Sequence, residues 1–330
     1  MTTKLSLQSF STHTFYNIEL SRESCITIST NSDKSSFNIL KESTLFKIDD
    51  LEYISDEFTL IAIESVFSLF PKENFKILLD KHLFKDRNDL NEFTYESTIT
   101  IPRASFSALA NIWAKSNAIE EELITTGKVE HPKRPAYTSG ELLYKKYFPS
   151  IDKNISFRVV DIERDLDNFH KWHNKEFIYE FWELNKTKDE LKKYLEDAFK
   201  DAHSIPAILE FNNEPVGYFE FYWAKEDRLG PYFDFSNHDR GFHFLIGEEN
   251  CLGRKNVDAI LSATSHYAFL NDSRTELLAG EPRSDNKRII RYVDHLECWR
   301  NEKEFDFPHK RAALLLCDRG LYFKEGYPWI

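Results

Sequence analysis

The stretch DRGFHFLIGEENCLGRKNVDAI, Asp239–Ile260, holds residue types that do proton and phosphate chemistry. Alternation puts Phe242, Phe244 and Ile246 on one face of a strand and Gly241, His243 and Leu245 on the other. A histidine in such a strand can act as a general base near neutral pH, although a lone histidine is more often a structural one. Gly253, Arg254 and Lys255 follow, and Asn256 reads as the N-cap of a helix whose stripe is Val257, Ile260, Leu261, Thr264 and Ala268. Backbone amides at a helix start, with two cations beside them, suit a pyrophosphate, while a single glycine also makes an ordinary turn. A second cluster, GEPRSDNKR at Gly280–Arg288, brings Glu281, Arg283, Asp285 and Asn286 to the end of an expected strand. Strand ends of α/β sheets face ligand crevices; the alternative is an Asp or Asn cap for the next helix.

Two further groups stand out. In GYFEFYW, Phe219, Phe221 and Trp223 share one strand face and Tyr218, Glu220 and Tyr222 the other. Glu220 between two phenols can receive a cationic amine or lie on a solvated face. Trp172, Phe181 and Trp182 are of the kind that walls a narrow channel or fills a core. The chain has no G-x-S-x-G, Walker loop, H-E-x-x-H or G-x-G-x-x-G, so hydrolase, nucleoside triphosphatase and zinc-protease readings lack support, and no metal is signalled.

These residues need elements to hold them. Residues 1–130 read as an α+β domain without chemistry of its own. Within it FTLIAI reads as a strand, ENFKILLDKHLF as a helix, and Ser105–Leu123 as a helix with Phe106, Leu109, Ala110 and Trp113 inward. Gly, Pro and small polar residues concentrate in Thr125–Glu141, which puts a linker at 131–150. From 151 to 330 the order is β-α-α-β-β-β-α-β-α-β, an α/β domain with a mixed sheet and helices against both faces. A net charge of −12 argues against nucleic acid as partner. Cys25, Cys251, Cys298 and Cys317 lie far apart without C-x-x-C spacing, which suits a reducing compartment. No run has membrane-spanning length and the N-terminus lacks an apolar signal core, so the expected location is the cytoplasm, away from membranes.

Five segments taken together, WHNKEFIYEFWE, EPVGYFEFYWAKEDR, DRGFHFLIGEE, EPRSDN and EFDFPHKRA, resemble the siderophore-biosynthesis N-acyltransferases of the aerobactin type, over about His131 to Phe323. The resemblance implies the GCN5-related acetyltransferase fold, a mixed, mostly antiparallel sheet flanked by helices, with the first half a candidate degenerate copy. It implies acetyl-CoA as co-substrate and a hydroxylamine nitrogen as acceptor, on N6-hydroxylysine or on N-hydroxyputrescine or N-hydroxycadaverine. The product is a hydroxamate for iron acquisition, and other siderophore-pathway enzymes are candidate partners. Its pyrophosphate loop falls on Asn250, Cys251, Leu252, Gly253, Arg254 and Lys255, with Asn256 where the family has a small residue. Leu245, Ile246 and Asn286 join the CoA-binding set. His243 corresponds to the family's histidine and Asp285 to its acidic partner, with Glu281 competing. Trp172, Trp182, Tyr218, Glu220 and Glu281 form the expected acceptor site, where Glu220 favours a diamine's distal ammonium. Arg283, Arg288, Lys310 and Arg311 are candidates for CoA phosphates or a substrate carboxylate. Transfer to ordinary amines, or a non-catalytic CoA-binding module, remain the alternatives.

Overall fold

The computed structural model describes residues 3–21, 24–85, 87–109, 112–116 and 122–324. It divides into two compact units, residues up to 114 with 145–154, and 115–144 with 155 onwards. The first unit's strands are β1 (Thr3–Gln8), β2 (Phe15–Ser21), β3 (Cys25–Ser29), β4 (Lys34–Glu42), β5 (Leu45–Asp49), β6 (Lys76–Asp80), β7 (Thr94–Tyr95) and β8 (Thr98–Pro102). They form one sheet in the order β1-β2-β3-β4-β5-β6-β8-β7. A separate hairpin joins β9 (Leu123–Thr126) to β10 (Val129–Pro132).

The second large sheet uses β11 (Leu142–Phe148), β12 (Lys153–Val159), β13 (Ser204–Phe211), β14 (Glu214–Trp223), β15 (Arg240–Ile246), β16 (Leu277–Gly280), β17 (Trp299–Asp306) and β18 (Arg311–Asp318). Its order is β11-β12-β13-β14-β15-β16-β18-β17, the first sheet's order with ten added to every number. The directions match too. β5 runs parallel to β6 as β15 does to β16, while β4/β5, β6/β8, β14/β15 and β16/β18 are antiparallel. The first half thus repeats the fold of the second, and both sheets are mixed and mostly antiparallel.

Helices α1 (Asp56–Leu69) and α2 (Arg103–Ser107) belong to the first unit. In the second, α3 (Ile162–His173), α4 (Glu176–Trp182) and α5 (Lys188–Ala198) cover one sheet face. Phe169, Trp172, Ile178, Leu191 and Leu195 pack there on Ile208, Tyr218 and Leu245. The capping box expected at Thr187 and Glu190 starts α5. Helix α6 (Arg254–Asn271) lies on the opposite face, with Tyr267 against Phe157 and Phe221; α7 (Lys287–Val293) and α8 (Arg319–Lys324) follow. No helix among the described residues is long and apolar enough to cross a membrane.

Three sequence expectations fail in the first half. FTLIAI lies inside α1, where every residue from Phe58 to Ser68 is buried. A segment apolar on all sides carries no period that separates helix from strand. Conversely, the core of ENFKILLDKHLF is β6, paired with β5 and β8. The helix expected over Ser105–Leu123 ends at Ser107; Trp113 instead sends its indole N–H to the buried Glu64 (2.7 Å), Ala110 lies outside the described residues, and Leu123 opens β9. The stretch expected as a linker, 131–150, carries the end of β10 and all of β11.

Candidate active site

The register of β14 and β15 sets Tyr218 opposite Leu245, Glu220 opposite His243 and Tyr222 opposite Gly241. On its other side β15 pairs with β16 only at Arg240↔Leu278 and Gly241↔Ala279. Beyond Gly241 the two strands part, which leaves backbone groups on one edge of β15 without a neighbouring strand. A cleft of about 1010 Å³ opens there, with Phe242–Ile246 on one side and Gly280, Glu281 and Pro282 on the other.

His243 stands at the apex, its imidazole 24% exposed. Nδ1 lies 3.1 Å from Glu220 Oε2 and Nε2 lies 2.7 Å from Glu281 Oε1. Each carboxylate also takes phenol donors, Glu220 from Tyr194 (2.5 Å) and Tyr218 (2.9 Å), Glu281 from Tyr222 (2.7 Å). A neutral imidazole has one N–H and would leave one contact without a proton; two carboxylates on two ring nitrogens suit an imidazolium. The electrostatics agree. Burial alone would lower the His243 pKa, but the charge of Glu281 and the hydrogen bonds to both carboxylates raise it to about 10. Burial would raise Glu281 and Glu220, yet His243 and the phenols hold both below the usual carboxylate range. Arg228 Nη2 lies 3.1 Å from Glu281 Oε1 and 3.3 Å from His243 Nε2, and Lys310 Nζ lies 3.9 Å from Glu281 Oε1.

Gly241 makes this arrangement possible. The Tyr222 ring lies over it, with 4.7 Å between the Tyr222 and His243 ring centroids. A Cβ on Gly241 would sit 2.2 Å from that ring.

At the far end of β15, Leu245, Ile246 and Leu252 line the cleft. The N-cap of α6 is Gly253 rather than the expected Asn256, at φ 142, a conformation that side chains oppose. Glycine has no capping side chain, so the first amides of α6 are left to a ligand or solvent, with Arg254 and Lys255 exposed beside them and Cys251 buried beneath. These features fit an acyl-CoA, with amides and cations for the phosphates and a free strand edge for the pantetheine amides.

The other expected site residues divide. Trp182 lines the cleft and meets His243 edge-on, at 6.5 Å between centroids. Trp172 belongs to the buried cluster beneath the sheet, its indole N–H on Glu248 (2.8 Å). Tyr218 is buried in the same cluster and reaches the site only through its hydroxyl. Asp285 lines the cleft but grips Arg283 with both oxygens (3.0 and 2.7 Å), so Glu281 takes the place expected for it beside His243. Asn286 caps α7, its Oδ1 accepting from the Ile289 amide at 3.3 Å. Glu220, expected to receive a distal ammonium, accepts hydrogen bonds from Tyr194 and Tyr218 and faces His243 Nδ1. Arg283, Arg288, Lys310 and Arg311 all line the cleft. Sequence reading missed Tyr194 and Arg228. Tyr194 lies between the buried Leu191 and Leu195 on α5, so its outward hydroxyl passes for packing; Arg228 sits in a loop without a pattern.

Sheet, parted strands and helix start together define an N-acetyltransferase of the GCN5-related class. The acetyltransferase (GNAT) domain family matches residues 161–307. A Schizosaccharomyces pombe protein assigned as a lysine N-acyltransferase is 32% identical over 93% of this chain and 95% of its own. The N(6)-hydroxylysine O-acetyltransferase of Escherichia coli is 33% identical over 80% of this chain and 84% of its own. An N(5)-hydroxyornithine:cis-anhydromevalonyl coenzyme A-N(5)-transacylase of Beauveria bassiana is 36% identical over 59% of this chain and 43% of its own. Among solved structures, an uncharacterised Bacillus halodurans protein superposes with a TM-score of 0.53 at 29% identity, covering 58% of this chain and 96% of its own. The chain is an acyltransferase and belongs to the family that its sequence resembles, the siderophore-type acyltransferases of the GNAT superfamily.

Proposed function

We propose that this enzyme transfers the acetyl group of acetyl-CoA to the hydroxylamine nitrogen of an N-hydroxylated amine. N6-hydroxylysine and the N-hydroxydiamines are the acceptor candidates, and the product is a hydroxamate. The observation that carries this reading is a histidine clamped between the buried Glu281 and the half-buried Glu220 where β15 parts from β16. The E. coli relative, named for hydroxylysine, supports the acceptor class.

Acetyl-CoA supplies the thioester carbon. The acceptor nitrogen's lone pair forms the C–N bond as the carbonyl π pair moves to oxygen, and free N–H groups on the edge of β15 stabilise that oxygen. Collapse reforms the carbonyl and breaks the C–S bond, with the electron pair leaving on sulfur. The acceptor's N–H proton passes to Glu281, His243 gives its Nε2 proton to the thiolate, and Glu281 returns a proton to His243 along their 2.7 Å contact. No proton is gained or lost overall. A carboxylate suffices as acceptor because the nitrogen becomes strongly acidic once bonded to the acyl carbon. His243 thus acts first as a proton donor, not as the base expected from its sequence position. The first unit takes no part in the chemistry, and the four unpaired cysteines are compatible with a reducing compartment such as the cytoplasm.

The test is thiol release from acetyl-CoA with N6-hydroxylysine, N-hydroxyputrescine and N-hydroxycadaverine, each beside its parent amine, and ferric ion added to the products. Thiol release with a ferric-binding product supports hydroxamate formation. Thiol release without ferric binding would place the acetyl group on oxygen, and release with parent amines alone would overturn the hydroxylamine reading.

A further inference from the structure

We infer that the charge cluster around His243 admits an uncharged acceptor nitrogen and turns away an ammonium, so that hydroxylated and parent amines are distinguished by charge. The inference rests on the hydroxylamine reading above and adds the residues that enforce it.

The groups facing the reaction centre are fixed from every side. Next to the imidazole, Glu220 and Glu281 supply two negative charges, and His243, Arg228 and Lys310 three positive ones. Farther along the cleft Glu180, Glu183 and Asp285 are matched by Arg283, Arg288 and Arg311. Tyr194 from α5 and Tyr218 and Tyr222 from β14 add neutral donors, and Trp182 from α4 adds a ring edge. Asp227, behind Arg228, contacts His203 at 3.3 Å. Both carboxylates are already engaged by donors of the wall, so their charge is largely balanced before a substrate enters. Glu220 accepts from three donors; Glu281, 1% exposed, accepts from His243 and Arg228 on one oxygen and Tyr222 on the other. Arg228 and Lys310 flank the ring of Phe307 at 5.7 and 5.4 Å, and Lys310 also donates to the Glu281 carbonyl at 2.8 Å. Both cations are therefore built into the wall.

A parent amine arrives as an ammonium, with a pKa near that of lysine, about 10.4. A hydroxylamine nitrogen is already neutral at pH 7. Near a net positive charge at about 4 Å and an effective dielectric of about 20, the ammonium is disfavoured by roughly a thousandfold. The half-exposed Arg228 and the salt around it reduce that figure.

The experiment compares kcat/KM for a hydroxylated acceptor and its parent in wild type, Arg228→Gln, Lys310→Met and the double variant, at pH 7 and low salt. We expect the preference for the hydroxylated acceptor to fall about tenfold with each cation removed, mainly because parent-amine turnover rises. High salt should narrow the wild-type preference in the same direction. In wild type, parent-amine turnover should climb between pH 7 and 9 while turnover of the hydroxylated acceptor stays flat, and both should fall once His243, with its pKa of about 10, loses the proton it donates. Folded variants with an unchanged preference, or salt without effect on it, would refute the charge filter and leave the hydroxylamine reading intact. Failure of wild type to acetylate any hydroxylated acceptor would remove that reading itself.

Discussion

Replacing Gly241 by alanine tests the site's architecture with a single methyl group. An added Cβ would lie 2.2 Å from the Tyr222 ring, more than an ångström inside ordinary contact. The ring is 1% exposed and packed with Ala279, Leu314 and Leu316, so it cannot swing outward. Overpacking of this kind costs about 1–3 kcal/mol. Moving the ring also breaks the 2.7 Å bond to Glu281, and a hydrogen bond to a charged group is worth about 1.5–3 kcal/mol. The expected destabilisation is therefore about 3–5 kcal/mol, with a melting temperature lower by roughly 10 °C. Turnover should fall with it, because Glu281 loses its neutral donor and His243 the ring it packs on. Gly280→Ala is the control: it lines the same cleft, yet nothing lies within 4 Å of its added Cβ. Its stability should stay within about 0.5 kcal/mol of wild type. Thermal unfolding and steady-state kinetics on both variants decide the matter. A Gly241→Ala protein that melts within 2 °C or so of wild type and keeps full turnover would refute the account of Tyr222 and Glu281.

Three further outcomes follow from individual contacts. Gly253→Ala forces a side chain into φ 142 at a cost of about 1–3 kcal/mol, and the KM for acetyl-CoA should rise tenfold or more with kcat little changed; an unaltered KM would remove the phosphates from this helix start. Burial would lower the His203 pKa, but bonds to Asp227 and Asp201 raise it to about 9. A raised folded-state value means stability fully present below pH 6.5 and lost as pH climbs through 9, up to about 3 kcal/mol. His203→Gln should erase about half of the difference between urea midpoints at pH 6 and pH 9.5, the rest coming from His243, whose pKa is raised to about 10 in the same window. Calorimetric titration with CoA should give one site per chain, since only one of the two repeated folds has a helix start fit for phosphate. Two sites would overturn that assignment.

How far the sequence was legible depended on whether a residue's neighbours were close along the chain. Alternation fixes strand faces, and it correctly grouped Gly241, His243 and Leu245 on β15 and Tyr218, Glu220 and Tyr222 on β14. The glycine before two cations marked the start of α6, although Gly253 itself is the N-cap. The carboxylate on His243 Nε2 was a different matter. Glu281 and Asp285 lie four residues apart at the end of one strand, and only the path of the chain after Gly280 turns Glu281 inward and leaves Asp285 on Arg283. Arg228 reaches the site from a loop, which no periodicity encodes. In the first half, α1 is buried on every side and FTLIAI is almost wholly apolar, so the signal that separates helix from strand was absent there.

The repeated fold shows what separates a scaffold from an active site. Two features make the cleft in the second unit; the first unit has little of the one and lacks the other. Strand β15 pairs with β16 at two positions of its seven residues and then leaves it, which frees an edge of backbone. Strand β5 pairs with β6 at three of its five residues, Leu45, Phe46 and Lys47, so little edge is freed. The helix that follows differs as strongly. Helix α6 begins at a bare glycine beside Arg254 and Lys255, whereas α1 is closed by Ser55, whose side chain accepts from the Phe58 amide at 3.1 Å. Asp56 and Glu57 occupy the first turn of α1 and repel an anion that the helix start would otherwise attract. A capping serine stabilises a helix by about 1 kcal/mol over alanine but by only about a few tenths over glycine, so serine in place of glycine chiefly removes the open amides and gains the structural copy little. Restoring glycine and two cations at Ser55–Glu57 would recreate the electrostatics but not the parted strands, so the first unit should remain unable to bind CoA.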